Sequence, residues 1–416
     1  MMRHTSFIAT ILLVLVGRSA AGSEFEPNHL FVADWTGGGV CEFDESHTLV
    51  RRFDAGGILA EPVGLAFGPD GLLYVGDALN QVVRIVDADG TLVDTWAPGV
   101  LSNPRGLAFG PGGSLFVTSS GTGRVIELDA SGVVVREIGA GSGLAMPEFI
   151  AFAPDGHMLV TCFVTDLVYE FDPDGSLVRT FGGGELNQTT GIAFGPGGLL
   201  AVASRADHDV GSFGANGGQI TAFSDAALAR PNGVVLGPDF RLYVGSGDTD
   251  RLVMFLGNQY LGDFGGDDGV LFPFALAFAP FRYKVKVNGI MTGGGQRQKV
   301  KGKGVLSIAP GSQTIMLDLQ DDPDTPADYA SLMGAERLVF HGLEGVASAT
   351  ERHRVLGGTE VKGPAYQDGV GSISLRVKGS LDENGSYVPN RVKGWFHRSQ
   401  GLQAVHLSLK VAKRLN

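Results

Sequence analysis

Short apolar segments separated by turn residues follow one another along residues 28–280. One unit, residues 62–77, reads PVGLAFGPDGLLYVGD: an apolar run, a Pro-Asp-Gly turn and a second apolar run. Two more strand-like pieces follow, at residues 81–86 and 91–95. Apolar runs of this length bounded by Gly, Pro and Asp are typical of β-strands joined by hairpins, and the frequent Gly residues argue against long helices. Each unit is therefore predicted to form four antiparallel strands.

The unit returns at a nearly constant interval of 42 or 43 residues, with first strands beginning at Pro62, Pro104, Pro147, Thr189, Pro231 and Pro273. Four strands in a repeat of this length are typical of a β-propeller blade. The copy at Pro273 ends after one strand, whereas residues 29–53 supply only the second to fourth strands. Joining these two pieces completes a sixth blade and removes exposed sheet edges. The sequence predicts an all-β, six-bladed β-propeller closed by the N- and C-terminal strands of the repeat region.

The consensus Pro-x-Gly-Leu-Ala-Phe-x-Pro-Asp-Gly-x-Leu-Tyr-Val-x-Asp resembles the NHL repeat. It is more distantly similar to the repeats of the regucalcin–gluconolactonase family and of the streptogramin lyases. The resemblance covers residues 28–280, about three fifths of the chain. It implies a six-bladed propeller and no single function, because these families share the blade and differ in their chemistry.

The composition changes after residue 281. Residues 1–281 contain 13 Arg, no Lys and 32 Asp plus Glu, a formal charge of −19. Residues 282–416 contain 19 Lys plus Arg and 12 Asp plus Glu, a formal charge of +7. The second segment lacks the repeat but keeps strand-like alternation, as in YKVKV at residues 283–287. We therefore predict a propeller over residues 28–280 and a C-terminal antiparallel β sandwich or barrel over residues 283–416.

The first 22 residues are predicted to be a signal peptide. Arg3 and His4 precede an apolar run over residues 7–16, and small residues follow at 19–21. The run is too short to span a bilayer as a permanent anchor, although an uncleaved anchor is the alternative. We expect a secreted or periplasmic protein with no transmembrane segment after signal cleavage. Cys41 and Cys162 fall about three blades apart, too far for a disulfide, and are expected to be free and buried.

Candidate chemistry lies at one mouth of the channel, where loops enter the innermost strands and leave the second strands. The residue after the first residue of each innermost strand forms an inner-strand ring: Val63, Arg105, Glu148, Thr190, Asn232 and Phe274. The last residue of each second strand forms a second-strand ring: Asp34, Asp77, Ser119, Cys162, Ser204 and Ser246. These positions vary on a repeated framework, as binding residues do. The predicted ligand-binding residues are Asp34, Asp77, Arg105, Glu148 and Asn232.

The resemblance to the regucalcin–gluconolactonase family implies a metal bound by a Glu, an Asn in an Asn-Gly pair and an Asp. Glu148 and Asn232 match the first two positions, but Phe274 stands at the third. Ca²⁺ takes about six oxygen ligands, so the loss of a carboxylate matters unless Asp34 and Asp77 compensate. We predict no cofactor, the alternative being Ca²⁺ or another divalent cation at Glu148 and Asn232.

The resemblance to the streptogramin lyases implies a His and a Glu near the mouth. His157 follows a hairpin Gly and is expected on the opposite face. His208 lies in an irregular stretch with Arg205, Asp207 and Asp209. This stretch either lines the mouth or is a solvated loop.

The favoured function is that of an exported, non-catalytic binding or scaffold protein, a monomer whose mouth binds a protein or small-molecule ligand. The charge of −19 without Lys argues against a nucleic-acid partner. The alternative is a metal-dependent lactonase-like hydrolase or a lyase acting at the central channel, with catalytic residues that the sequence does not identify.

Overall fold

The structure of the chain is a computed structural model. It describes residues 24–110, 113–153, 156–194, 199–214, 216–237, 239, 241–293, 296–309, 314–318, 337–341, 361–365, 369–381, 387–400 and 403–414. After residue 280 it describes the backbone of these strands and the side chain of Arg282. The predicted signal peptide, residues 1–22, lies outside the described residues.

Six four-stranded antiparallel sheets surround a central channel, and each sheet is one blade. From the innermost strand outwards, blade 1 consists of Pro62–Phe67, Leu73–Asp77, Val82–Val86 and Leu92–Trp96. Blade 2 consists of Pro104–Phe109, Leu115–Ser119, Arg124–Leu128 and Val134–Ile138. Blade 3 consists of Pro147–Phe152, Met158–Cys162, Leu167–Phe171 and Leu177–Phe181. Blade 4 consists of Thr189–Phe194, Leu200–Ser204, Asp209–Phe213 and Gln219–Phe223. Blade 5 consists of Pro231–Leu236, Leu242–Ser246, Arg251–Leu256 and Gln259–Phe264. Blade 6 consists of Pro273–Phe278, Leu30–Asp34, Gly39–Phe43 and Leu49–Phe53.

Blade 6 closes the ring with strands from both ends of the repeat region. Leu30 pairs with Phe278 and Val32 with Leu276 in an antiparallel ladder. Beyond the strand end, the Ala279 amide donates a hydrogen bond to the His29 carbonyl (3.0 Å). The predicted six-bladed propeller and its mode of closure are confirmed.

The apolar core lies between neighbouring blades. Successive side chains of a strand point to opposite faces, so each blade presents an apolar face to each neighbour. Tyr74 of blade 1 packs edge-on against Phe109 of blade 2, and Phe116 of blade 2 packs edge-on against Phe152 of blade 3, each at 5.0 Å between ring centroids. Such aromatic pairs add about 1 kcal/mol to the burial of their surface. This packing fixes the positions of the innermost strands and of the loops between them.

Polar contacts reinforce the outer part of three blades. In blade 3, Glu170 forms an ion pair with Arg179 (2.6 Å), and Arg179 donates to the Asn216 carbonyl of blade 4 (2.6 Å). Glu42 with Arg51, and Glu127 with Arg136, repeat this arrangement. His157 contacts Glu170 (2.7 Å). His157 thus belongs to this interblade contact.

The described residues after residue 280 form eight strands that pair in one antiparallel sheet. Their spatial order is Arg337–His341, Thr314–Asp318, Gln296–Ala309, Phe281–Gly293, Gln403–Arg414, Tyr387–Gln400, Gly369–Leu381 and Val361–Ala365. The prediction that this segment forms a sandwich or a barrel stays a prediction. Arg282, at the start of this segment, pairs with Glu24 and donates to the Asp70 carbonyl of blade 1 (2.7 Å). No described residue belongs to a helix that could cross a membrane.

Candidate functional site

A pocket of about 280 Å³ opens where loops enter the innermost strands and leave the second strands. We call it the mouth pocket. Its lining residues come from blades 2 to 6, and they are Trp35, Arg105, Met146, Glu148, Phe163, Gln188, Arg205 and Arg230. Two of the five predicted ligand-binding residues, Arg105 and Glu148, are therefore brought together here.

Arg105 and Glu148 form an ion pair within the mouth pocket, with 3.2 Å between Nη1 and Oε2. Glu148 is only 1% exposed. Burial raises the pKa of the Glu148 carboxyl to about 7, and the nearby charges of Arg105 and Arg205 limit the rise. The Glu148 carboxyl therefore titrates in the neutral range, well above the usual range of a glutamate.

Aromatic rings hold two of the pocket arginines. The Arg105 guanidinium lies 5.2 Å from the ring centroid of Phe274 and 5.7 Å from that of Trp35. The Arg205 guanidinium lies 5.3 Å from the ring centroid of Phe272. Cation–π contacts position a guanidinium without using its N–H groups. Among the described residues, the buried Nε of Arg105 has no hydrogen-bond partner, so this guanidinium keeps one unused donor.

Two stacked phenylalanine rings lie next to the Arg105 guanidinium. Phe149 of blade 3 and Phe274 of blade 6 come from opposite sides of the channel and stack at 5.7 Å between centroids. The channel residues of the innermost strands, including Ala66, Ala151 and Ala193, line a separate apolar cavity of about 180 Å³. Charged side chains thus line the mouth pocket, whereas the residues that line the channel cavity are all apolar.

Asn232 faces an arginine. Its side-chain oxygen accepts a hydrogen bond from Arg205 Nη1 (2.8 Å), and its side-chain nitrogen donates to the Pro273 carbonyl (3.1 Å). Glu148 likewise faces Arg105. A divalent cation does not fit these two oxygens as they stand, because a guanidinium charge faces each of them. The described residues contain no group of three or more His, Cys, Asp or Glu side chains placed to bind a metal.

Asp34 and Asp77 do not line the mouth pocket. Asp34 is fully buried, accepts hydrogen bonds from the Gly37 and Leu271 amides (3.0 and 3.1 Å) and pairs with Arg52 (2.8 Å). Burial raises the pKa of the Asp34 carboxyl, and its hydrogen bonds to backbone amides oppose the rise. Asp77 accepts from the side chain of Asn80 (2.8 Å). Both carboxylates are occupied within the protein.

The other members of the second-strand ring share this structural role. Ser119, Cys162, Ser204 and Ser246 each accept a hydrogen bond from the amide 17 residues earlier, at 2.8 to 3.3 Å. Each bond ties the loop before an innermost strand to the end of its neighbouring second strand. Asp, Ser and Cys can all act as the acceptor, so variation at these positions follows from interchangeable acceptors. The ring positions the mouth loops.

We expect Ser119→Ala to lower the free energy of unfolding by about 1–2 kcal/mol, because its buried hydroxyl both accepts from and donates to the Ser102 backbone. Urea unfolding followed by circular dichroism measures the change. Ser176→Ala, at an exposed hairpin position, is the matched control and should change little. Equal stabilities of the two variants would contradict a positioning role for Ser119.

The two cysteines are free and buried, as predicted. Cys41 lies in blade 6 and Cys162 in blade 3, on opposite sides of the ring. Burial raises the pKa of the Cys41 thiol to about 12, so it is protonated at neutral pH. These thiols are part of the core.

The irregular stretch of blade 4 contributes Arg205 to the pocket and not His208. His208 Nδ1 accepts a hydrogen bond from the Arg230 amide (3.2 Å), and Asp207 accepts from the Ser204 hydroxyl (2.6 Å). The sequence indicated Arg205 as part of a stretch that either lines the mouth or is a solvated loop, and it gave no indication of five other pocket residues: Trp35, Met146, Phe163, Gln188 and Arg230.

A signal for these residues is present in the repeat. Trp35, Phe163 and Arg205 directly follow second-strand ring positions, whereas Met146, Gln188 and Arg230 directly precede an innermost strand. The latter three share a left-handed backbone, with φ between 50° and 55°. Asn103 and Phe272 have the same backbone at the equivalent positions of blades 2 and 6, so this conformation is a feature of the repeat and does not by itself mark the pocket. The pocket is thus built from positions adjacent to the predicted rings.

Comparison with known proteins identifies the fold and no closer relationship. No protein-family model and no curated protein matches the chain. Among solved structures, a chain of a nidogen/laminin complex is 19% identical, with a TM-score of 0.52 over 60% of this chain and 98% of that one. A protein of unknown function from Bacteroides caccae is 14% identical, with a TM-score of 0.51 over 60% and 98%. A streptogramin B lyase is 16% identical, with a TM-score of 0.48 over 70% and 90%.

At these identities the likeness shows the fold alone. The repeat region is a six-bladed β-propeller, and its predicted resemblance to propellers of this type is confirmed at the level of fold. What the mouth pocket binds must therefore be argued from its own residues.

Proposed function

We propose that this protein is an exported, non-catalytic binding protein whose mouth pocket binds an organic anion, a carboxylate carried by a small molecule or a protein side chain. The observation that carries the proposal is the arginine lining of the pocket: Arg105, Arg205 and Arg230 line it, and the buried Nε of Arg105 has no hydrogen-bond partner among the described residues. Export is inferred from residues 1–22, and the C-terminal domain would position the propeller.

The charges of the mouth pocket favour anions. Three arginines and one glutamate line it, whereas residues 1–281 as a whole carry a formal charge of −19. A concave site of one sign attracts ligands of the other. The planar guanidinium also matches the geometry of a carboxylate, which it can bind through two parallel hydrogen bonds.

The apolar part of the lining favours a ligand with a flat or apolar body. Trp35, Phe163 and Met146 lie beside the arginines in the same pocket. Ligand sites commonly combine apolar walls with a few polar groups that fix orientation. An aromatic acid satisfies both parts, so benzoate is a suitable probe and benzamide is its neutral counterpart.

Calorimetric titration of the full-length protein is expected to detect benzoate binding that benzamide does not reproduce. Arg205→Met should weaken benzoate binding about tenfold, equivalent to about 1.4 kcal/mol, because it removes a charged donor while leaving the Arg105–Glu148 pair intact. Arg241→Met is the matched control, since Arg241 is partly exposed, pairs with Asp239 and does not line the pocket. Equal binding of benzoate and benzamide, or an unaffected Arg205→Met variant, would overturn the proposal.

A second candidate, an enzyme, is favoured by one observation. A buried carboxyl with a pKa of about 7 inside a cleft is suited to general acid–base catalysis, and Arg205 is close enough to influence its charge. Incubation with the aromatic lactone dihydrocoumarin tests this candidate by following ring opening. We expect no rate above buffer; turnover that is lost in Glu148→Gln would instead support a hydrolase.

A further inference from the structure

Glu148 is an internal anion in a site that we propose to bind anions. The charged groups that face it are Arg105 of blade 2, at 3.2 Å, and Arg205 of blade 4, while Arg230, from the loop before blade 5, lines the same pocket. Asp248 pairs with Arg230 (3.4 Å), and both side chains are exposed. Within the described lining of the pocket, Glu148 is the one carboxylate among three arginines.

A ligand carboxylate has to approach the guanidinium groups that Glu148 already neutralises. Two carboxylates within one buried site repel each other, and the protein lowers this cost by protonating one of them. A ligand can leave an open pocket, whereas Glu148 is the second residue of the innermost strand Pro147–Phe152 and is only 1% exposed. Glu148 is therefore the group that accepts the proton.

We propose that binding of an organic anion at the mouth is coupled to the uptake of one proton by Glu148, an inference that rests on the proposed function. The proton passes from solvent to a carboxylate oxygen of Glu148, and no covalent bond of the ligand changes. Protonated Glu148 releases Arg105 and Arg205 to bind the incoming carboxylate. Acidification would therefore load the pocket and alkaline conditions would empty it.

The direction of the pH dependence follows from the ionisation of Glu148. In the free protein, burial raises the pKa of Glu148 to about 7, so Glu148 can take up a proton from solvent near neutral pH. A bound anion raises that pKa further, because a like charge disfavours ionisation. Affinity should thus be constant below the free-protein pKa, fall by up to about tenfold per pH unit above it, and level off above the pKa of the complex.

The experiment is a titration of the full-length protein with benzoate, from about pH 6 to about pH 9, in the cationic buffer Bis-Tris propane at constant chloride. Benzoate stays ionised throughout, so its own titration does not contribute. Wild-type affinity is expected to fall across the upper part of this range. Glu148→Gln, which keeps the shape but cannot ionise, should bind at all pH values at least as tightly as the wild type does at the acidic end.

A direct proton count makes the test independent of the variant. Benzoate added to weakly buffered wild-type protein near about pH 8 should consume about one proton per ligand bound, measured with a pH indicator. Binding that is sensitive to Arg205→Met but consumes no proton and is constant with pH would overturn the coupling and leave the proposed function standing. An unchanged pH slope in Glu148→Gln would also overturn it. Absence of benzoate binding in both proteins at every pH would overturn both proposals.

Discussion

Replacing Val32 by proline is expected to prevent closure of the ring and so to abolish the cooperative folding of the propeller. Val32 is fully buried in the second strand of blade 6, where it pairs with Leu276 on one side and Cys41 on the other. Proline in a central strand removes a ladder hydrogen bond, and the buried carbonyl that loses its donor costs about 1–3 kcal/mol in addition to the steric conflict of the ring. The whole stability of a domain is only about 5–15 kcal/mol.

The cost extends beyond blade 6 because this blade joins the two ends of the repeat region. Val32 packs in one cluster with Tyr243 and Leu252 of blade 5. If the second strand of blade 6 does not pair, the innermost strand Pro273–Phe278 becomes an exposed edge. Loss of one strand pairing therefore loosens two blades together.

Thermal and urea unfolding followed by circular dichroism measure this effect. Val50→Pro is the matched control, since Val50 is half-exposed in the outermost strand of the same blade and lies at the bulge between the Glu42–Arg51 and Phe43–Leu49 pairs. We expect it to change stability by less than about 1 kcal/mol. If Val32→Pro fails to express, Val32→Ala should still lower stability by about 2 kcal/mol through loss of buried volume. Equal melting of the Val32→Pro and Val50→Pro proteins would contradict the closure argument.

The blade architecture could be predicted from the sequence because its determinants are local and repeated. Turn residues recur at fixed positions: in blade 1, the Asp87 side chain accepts hydrogen bonds from the Asp89 and Thr91 amides (3.0 and 2.9 Å), so Asp87-x-Asp89-Gly is a hairpin turn. Closure could be predicted because the incomplete copies at the two ends complement each other. Neither inference needs knowledge of side-chain direction.

The mouth pocket was only partly predictable, because the repeat gives the positions of residues but not the directions of their side chains. Arg105 and Glu148 occupy repeated positions, so the register placed them on neighbouring blades. Asp34 occupies a repeated position too, but the sequence does not show that its carboxylate turns toward the backbone amides of Gly37 and Leu271. Trp35 and Arg205 lie just outside the regular strands, where the direction of a side chain depends on tertiary contacts.

The glycine of the repeat has a packing role that appears only between blades. Gly64, Gly106, Gly191 and Gly233 occupy the third position of four innermost strands. A Cβ at each would lie 2.0–2.5 Å from a carbonyl oxygen of the next blade. These glycines allow neighbouring innermost strands to approach closely around the channel. Blade 3 has Phe149 instead, which supplies the ring that stacks on Phe274.

Gly106→Ala is expected to lower the free energy of unfolding by about 3 kcal/mol, at the upper end for overpacking, because the clash is with backbone. The new Cβ would lie 2.5 Å from the Glu148 carbonyl oxygen and 2.6 Å from the Phe149 Cα, and neither can move without disturbing blade 3. Urea unfolding measures the loss. Gly218→Ala is the matched control, since its Cβ would meet nothing closer than 3.4 Å. Similar stability of the two variants would show that neighbouring blades can separate at little cost, contrary to the packing argued here.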